Sequence, residues 1–332
     1  MFSKLLKSNQ PLVLVLVIFT GFGLWFASFL HPIGMQIPSD FGNMPLYGFI
    51  DHRIPTTSHI SVIISFILVF VQALLLIQFN KKFIVINHRT YLPAFFYVLI
   101  TSSFVPLQRV NPVIFGLFFI YFAINYIFSV YRNDFALNKL YVAGFSIAIA
   151  SLFWAPYAIF FMIFIISLII LRPFVGREWL VSILGFISPF FFVFMYYFIF
   201  GVNGELNHIY LNFLQSFKGF KEFGQIHHSY YIFYGLLALI VVVASISAVS
   251  NFQNKKIRIR KFFTLNWWIF FVYLTSFVFF RNIGYEVIFI LAMPISFLLA
   301  DYFYLVRNQR VLNIFVFLLF ASSIYIQIIA HY

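Results

Sequence analysis

Only eight acidic residues occur in 332, so each can be weighed by its place. Asp40 and Asp51 share one polar stretch, 31–59, with Arg53 and with His31, His52 and His59. A carboxylate can take the proton of an incoming hydroxyl as general base, and an arginine can grip a phosphate leaving group through two parallel N–H donors. Asp51 and Asp40 are therefore the candidate catalytic groups. Arg53, Arg109, Arg281 and Glu286, all in polar turns, are the candidate substrate-binding groups. A loop aspartate also serves as a turn or cap residue. Likewise Arg281-Asn282-Ile283-Gly284-Tyr285-Glu286 could be a solvated turn with a local ion pair of little energetic weight. Histidines beside carboxylates suit a divalent cation. No HExxH, no paired-carboxylate spacing and no glycine-rich phosphate loop occurs, so no metal and no cofactor is expected. Cysteine is absent, which removes thiolate nucleophiles, thiolate metal sites and disulfides.

What must position these residues follows from composition. Hydrophobic residues make up 63% and charged residues 9%, against roughly 45–50% and about 25% in a soluble globular chain. So few charges cannot cover the surface of a water-soluble fold of this length. About eleven apolar helices of roughly 20 residues would use two-thirds of the chain. The expectation is an all-α, polytopic transmembrane bundle forming one integral membrane domain over residues 1–332. No signal-peptide cleavage pattern follows the first hydrophobic run, so that run is expected to remain as a helix.

The spans read as 11–30, 60–78, 91–105, 112–130, 140–154, 156–171, 179–200, 231–250, 266–280, 286–305 and 311–330. With the amino terminus inside, 16 of the 21 Lys and Arg fall on the inner side, and only Arg53, Arg109, Lys218, Lys221 and Arg281 fall outside. This asymmetry follows the positive-inside rule and places the carboxyl terminus outside. It also explains the formal charge of +13 as a topology signal, so nucleic acid is not an expected partner. The basic run Lys255 to Lys261 reads as a cytoplasmic anchor against anionic lipid. Asp134, Glu178 and Asp301, near Arg132, Arg177 and Arg307, read as interfacial ion pairs.

Spans 91–105, 140–154 and 156–171 are short for a core of about 30 Å. Each of 91–130 and 140–171 is either two short crossings or a re-entrant hairpin, and both options return the chain to the same side. Asn111-Pro112 and Ala155-Pro156 place proline at expected first helical positions. Pro189 and Pro294 predict kinks. Outer loops are expected at 31–59 and 201–230. In the second, Tyr210, Phe213, Leu214, Phe217 and Phe220 recur at helical spacing, as in a helix lying in the interface. No charged residue sits at the centre of a span, which disfavours an ion-coupled transporter. Gln72 and Asn125 read as interhelical hydrogen-bond partners.

Three stretches carry a resemblance: Ala143-Gly144-Phe145 to Ala150-Ser151-Leu152-Phe153, then Leu171-Arg172-Pro173-Phe174-Val175-Gly176-Arg177-Glu178-Trp179, then Leu184-Gly185-Phe186-Ile187-Ser188-Pro189. Together they resemble an uncharacterised family of polytopic inner-membrane proteins of Bacteroidota. About eleven spans with a long outer loop directly after the first also resembles, in architecture, the GT-C glycosyltransferases, which use polyprenyl-phosphate sugars. That resemblance implies an inner-membrane enzyme with an acidic residue of the first outer loop in catalysis, here Asp40 or Asp51. Membrane lipid, including polyprenyl phosphate, is the partner it implies. The chain departs from the GT-C pattern in having no acidic pair separated by one residue and no soluble outer domain. The alternative is a non-catalytic membrane subunit of an envelope complex, packed against a membrane-protein partner. A transporter or flippase is the third reading.

Overall fold

The computed structural model describes residues 11–32, 44–51, 53–54, 58–86, 90–131, 136–200, 203–217, 228–280, 283–306 and 309–331. Thirteen α-helices and no strand occur among them. In chain order they are α1 Pro11–Leu30, α2 Pro45–Asp51, α3 His59–Phe83, α4 Leu92–Thr101, α5 Pro112–Ser129, α6 Leu137–Phe153, α7 Ile159–Leu171, α8 Gly176–Ile199, α9 Asn203–Gln215, α10 His228–Ser250, α11 Ile257–Phe279, α12 Val287–Leu305 and α13 Gln309–His331. Short 3-10 turns lie at Val105–Leu107 and Ala155–Ala158. Eight of the described helices are long and apolar enough to cross a membrane, and three further apolar helices are shorter. The chain is therefore a multi-pass membrane protein.

α4 and α12 form the centre. Every residue of α4 and every residue of α12 from Val287 to Phe303 is buried. A helix apolar on all sides has no face for water, and here neighbouring helices rather than lipid cover both. The two pack together, with the rings of Phe96 and Phe303 4.8 Å apart. α3, α10 and α11 pack around them, and α1 and α13 close the same side of the bundle.

α6 and α8 pack side by side through small residues. A Cβ on Gly185 would stand 2.3 Å from the Tyr141 carbonyl oxygen, and one on Gly144 would stand 2.5 Å from the Ser182 carbonyl oxygen. Glycine at both positions lets the two backbones touch, the usual basis of helix association in lipid. Tyr141 and Ser188 add a hydroxyl–hydroxyl bond of 3.0 Å across the same seam. The helices run through both Pro189 and Pro294, and Asn266 Nδ2 donates to the Pro294 carbonyl at 2.9 Å.

Several expectations change. The fourth helix has only ten residues where a span over 91–105 was expected, about 15 Å of helix. α11 begins at Ile257, nine residues before the expected 266. Arg258, Arg260 and Lys261 lie outside an apolar window, yet Lys and Arg are good helix formers and simply extend the element. The inner charges also pair differently. Glu178 bonds Arg172 at 3.0 Å rather than Arg177, because adjacent residues on a helix point apart. Asp301 pairs with Lys255, whose ammonium lies 3.7 Å from the centre of the Phe263 ring. That lysine is a buried ion-pair partner, not a free lipid anchor. Asp134, Arg132 and Arg307 lie outside the described residues.

Gly185→Ala tests the α6–α8 seam. Its methyl group must displace backbone, so the melting temperature in detergent should fall by about 3 °C or more. Gly176→Ala, where an added Cβ meets nothing within 4 Å, should leave it unchanged. Equal melting of the two variants would remove the seam as a packing determinant.

Candidate functional site

The chain between α4 and α5, residues 102–111, is not helical except for one 3-10 turn, and it is almost wholly buried. Buried backbone needs partners, and distant helices supply them. Gln108 Nε2 donates to the Ser102 carbonyl at 2.7 Å, and Gln327 Nε2 of α13 donates to the same carbonyl at 2.9 Å. Trp25 Nε1 donates to Ser102 Oγ at 2.8 Å, and Ser28 Oγ donates to Gln108 Oε1 at 2.6 Å. Ser61 Oγ of α3 accepts from the Val110 N–H at 2.9 Å. Asn111 caps α5 by accepting from the Ile114 N–H at 3.0 Å, with Pro112 at the first helical position as expected.

This clamp fixes Arg109. Arg109 is only 2% exposed, yet neither Nε nor either terminal nitrogen has a hydrogen-bond partner among the described residues. Two segments face it. From α2 comes Tyr47, 3% exposed, whose hydroxyl donates to the Val110 carbonyl at 3.5 Å. From the start of α12 comes Glu286, 6% exposed, near enough to act electrostatically on Arg109 but not closing an ion pair with it. A Cβ on Gly284 would stand 2.2 Å from Glu286 Oε2. The carboxylate thus lies back against its own turn, in the space beside Gly284.

Asp51 is the last residue of α2, one helical turn after Tyr47, and its exposed carboxylate stands beside the Tyr47 hydroxyl. Burial pushes the Tyr47 phenol well above its ordinary range, and the Asp51 charge adds to this while Arg109 opposes it. Tyr47 is therefore a neutral hydroxyl. Burial pulls the Arg109 guanidinium down, against the electrostatic pull of Tyr47 and Glu286. An arginine remains protonated in proteins regardless.

Of the residues expected from sequence, Asp51 and Arg109 both lie within electrostatic range of Tyr47, and Glu286 lies within electrostatic range of Arg109. Arg53 sits exposed in the turn closing α2, where its N–H bonds the Ile50 carbonyl at 2.9 Å. Asp40 and Arg281 lie outside the described residues. Tyr47 itself is missed by a search for charged groups. Its signal is the four-residue spacing to Asp51, which places both on one face of a short helix. Among the described residues, no three His, Asp or Glu side chains converge. A groove of about 260 Å³ lies between α1, α3 and the start of α4, lined by apolar residues such as Val17, Ile18, Phe70 and Leu74. None of the site residues borders it.

The fork of donors on a guanidinium matches the geometry of phosphate and carboxylate oxygens. The exposed carboxylate of Asp51 lies on the open side of the same cluster.

A family model described as a family of unknown function (DUF6427) matches residues 42–332. This range includes Tyr47, Asp51, Arg109 and Glu286. No curated protein and no solved structure matches the chain.

Removing the bare charge should relieve the fold. Arg109→Met, measured on delipidated protein, is expected to raise the melting temperature by about 3 °C or more, as an apolar side chain does in place of a poorly paired buried ion. A lower melting temperature would mean that the protein itself holds the guanidinium.

Proposed function

Because the chain belongs to the DUF6427 family, whose description assigns no activity, we propose from its own residues that it is a GT-C-like glycosyltransferase of the bacterial inner membrane. It acts on a polyprenyl-phosphate-linked sugar at the outer face. The observation that carries this reading is the buried guanidinium of Arg109, without a hydrogen-bond partner among the described residues, with Tyr47 lying between it and the Asp51 carboxylate. In this scheme Asp51 takes the proton of the acceptor hydroxyl as that oxygen attacks the anomeric carbon. The bond from that carbon to the phosphate oxygen breaks, and Arg109 receives the charge that collects on the departing lipid phosphate. Tyr47 orients Asp51. Arg53, Arg281 and Glu286 are the further substrate-binding candidates, and Asp40 is the second candidate base.

The topology that goes with this reading has the amino terminus inside, from the 16 to 5 partition of Lys and Arg. The eight long helices and the three shorter ones make up the expected eleven apolar elements. α2 and the 102–111 turn then share the outer side, where polyprenyl-linked donors present their head groups.

A second reading rests on α8. Its contacts are concentrated on α6 and α9, and it turns Phe191, Phe192, Phe194 and Phe198 outward. Such a flank suits a non-catalytic subunit seated against another membrane protein.

Native mass spectrometry of the gently purified protein separates the two. The expected result is a retained polyprenyl phosphate that is lost in Arg109→Met and kept in Asp51→Asn. Turnover of a polyprenyl-phosphate sugar should then fall at least about a hundredfold in Asp51→Asn, the scale of a lost general base. Retention of bulk phospholipid alone would overturn the glycosyltransferase reading. A stoichiometric membrane-protein partner in its place would establish the second.

A further inference from the structure

The apolar groove beside α3 runs along one face of that helix. Its lining there includes Phe66, Phe70, Leu74 and Ile77, spaced by four, four and three residues. From Phe66 to Ile77 is about 16 Å of helix. That is about half of a hydrocarbon core of about 30 Å, the depth of one leaflet. Leu14, Val17 and Ile18 of α1 form the other wall. Among the described residues nothing covers the mouth. Ile18, Ile67 and Leu74 line the groove and are themselves 43%, 53% and 44% exposed.

The two ends of the groove differ. At one, the rings of Phe66 and Phe70 stand 4.6 Å apart, and Phe66 meets Trp25 of α1 edge-on at 5.5 Å. A Cβ on Gly21 would stand 2.4 Å from the Phe70 ring, so α1 and α3 are in contact there. At the other end the same face of α3 continues to Lys81, one turn beyond Ile77. Lys81 is exposed and forms no ion pair among the described residues. Its neighbour Lys82 is committed elsewhere, donating to Asn125 of α5. Tyr91, just before α4, also lines the groove and is half-buried. Tyrosine is enriched where hydrocarbon meets the head groups. The Lys81 end is the far end of α3 from Ser61, which holds the Arg109 turn.

We propose that this groove binds one anionic phospholipid, with an acyl chain lying between α1 and α3 and the phosphate against Lys81. The apolar lining and its one-leaflet depth fit the chain. The cation in line with that lining fits a negative head group, since lysine keeps its stem on apolar surface while its ammonium reaches the head-group region. A chain attached to a negative head group satisfies both features at once. The site is separate from the Arg109 turn and does not depend on the reaction proposed there.

Photolabelling of the whole protein tests this, in nanodiscs of phosphatidylcholine and phosphatidylglycerol in equal parts. One lipid at a time carries a diazirine on its acyl chain, and the labelled peptides are mapped by mass spectrometry. Phosphatidylglycerol is expected to mark Ile18, Ile67 and Leu74 well above Phe191 and Phe192 of α8, although those are the more exposed at 55% and 63%. Phosphatidylcholine should mark the groove about fivefold less, the scale of one lysine at a charged membrane surface. Lys81→Gln, a change at an exposed position, should remove that preference and leave the melting temperature unchanged. Leu74→Trp, which fills the groove, should remove groove labelling by both lipids. Equal labelling of the groove and α8 would overturn the site, and so would an unlabelled groove covered by a partner helix. A preference for phosphatidylglycerol that survives Lys81→Gln would overturn the assignment of the head group.

Discussion

Water is scarce around most of this chain, so each polar group must find its partner inside the protein. The backbone between α4 and α5 is where that constraint presses hardest. α4 ends after ten residues, leaving 102–111 to run through buried surroundings without a helical ladder. Unsatisfied amides there would each cost several kcal/mol in an apolar medium. The solution uses side chains from far away in sequence, namely Trp25 and Ser28 of α1, Ser61 of α3 and Gln327 of α13. The first and last spans are thus tied to the same turn, and the bundle closes around it. The stacking of Phe104 on Tyr285, with centres 5.2 Å apart, seals the turn against the start of α12.

The same constraint shapes the charged ends of α3, α8, α11 and α12, with a different outcome. There, several charged groups are paired or covered. Arg172 meets Glu178, Lys255 meets Asp301, and Arg258 lies 4.9 Å from the centre of the Phe83 ring. Lys82 of α3 donates to Asn125 of α5 at 2.6 Å, so the isolated asparagine bridges two helices, as expected, by accepting from a lysine. These contacts hold helix ends in register and leave little unresolved electrostatic energy. The turn carrying Arg109 is the contrast, a buried cation with its three nitrogens unmet.

Much of the fold was legible because apolar runs and basic clusters are direct consequences of a bilayer environment. α1 lies where the 11–30 run places it, and α12 within a residue of its expected start. Helix ends were less legible, since the charged residues that open α11 are invisible to an apolar window although they favour helix. Ion-pair partners were misassigned for a related reason. Proximity in sequence suggested Arg177 for Glu178, whereas the helix directs the two side chains apart. The site was half legible. Charge and rarity singled out Asp51, Arg109 and Glu286, but burial is a property of packing. Nothing in Leu107-Gln108-Arg109-Val110 announces that the arginine is enclosed. Tyr47 was missed because tyrosine is common here, with 20 in the chain, and its role depends on which neighbours it meets.

The energetic position of Arg109 bears on what the turn is for. A buried charge costs several kcal/mol even after relaxation, a large share of the roughly 5–15 kcal/mol that separates folded from unfolded states. The nearest remedy is at hand in Glu286, whose carboxylate faces the same region. That carboxylate instead lies against the backbone of Gly284, and it closes no ion pair with Arg109. Arg109 is thus held by a clamp that satisfies the backbone on both sides of it while leaving the side chain unmet. Structure alone gains nothing from such an arrangement, since methionine would fill the same space without the charge. Under the proposed function, an oxyanion entering the turn would recover the desolvation already suffered, so its binding would be favoured by strain present before the ligand arrives. The cost to stability and the affinity for an anion are two readings of one bare guanidinium.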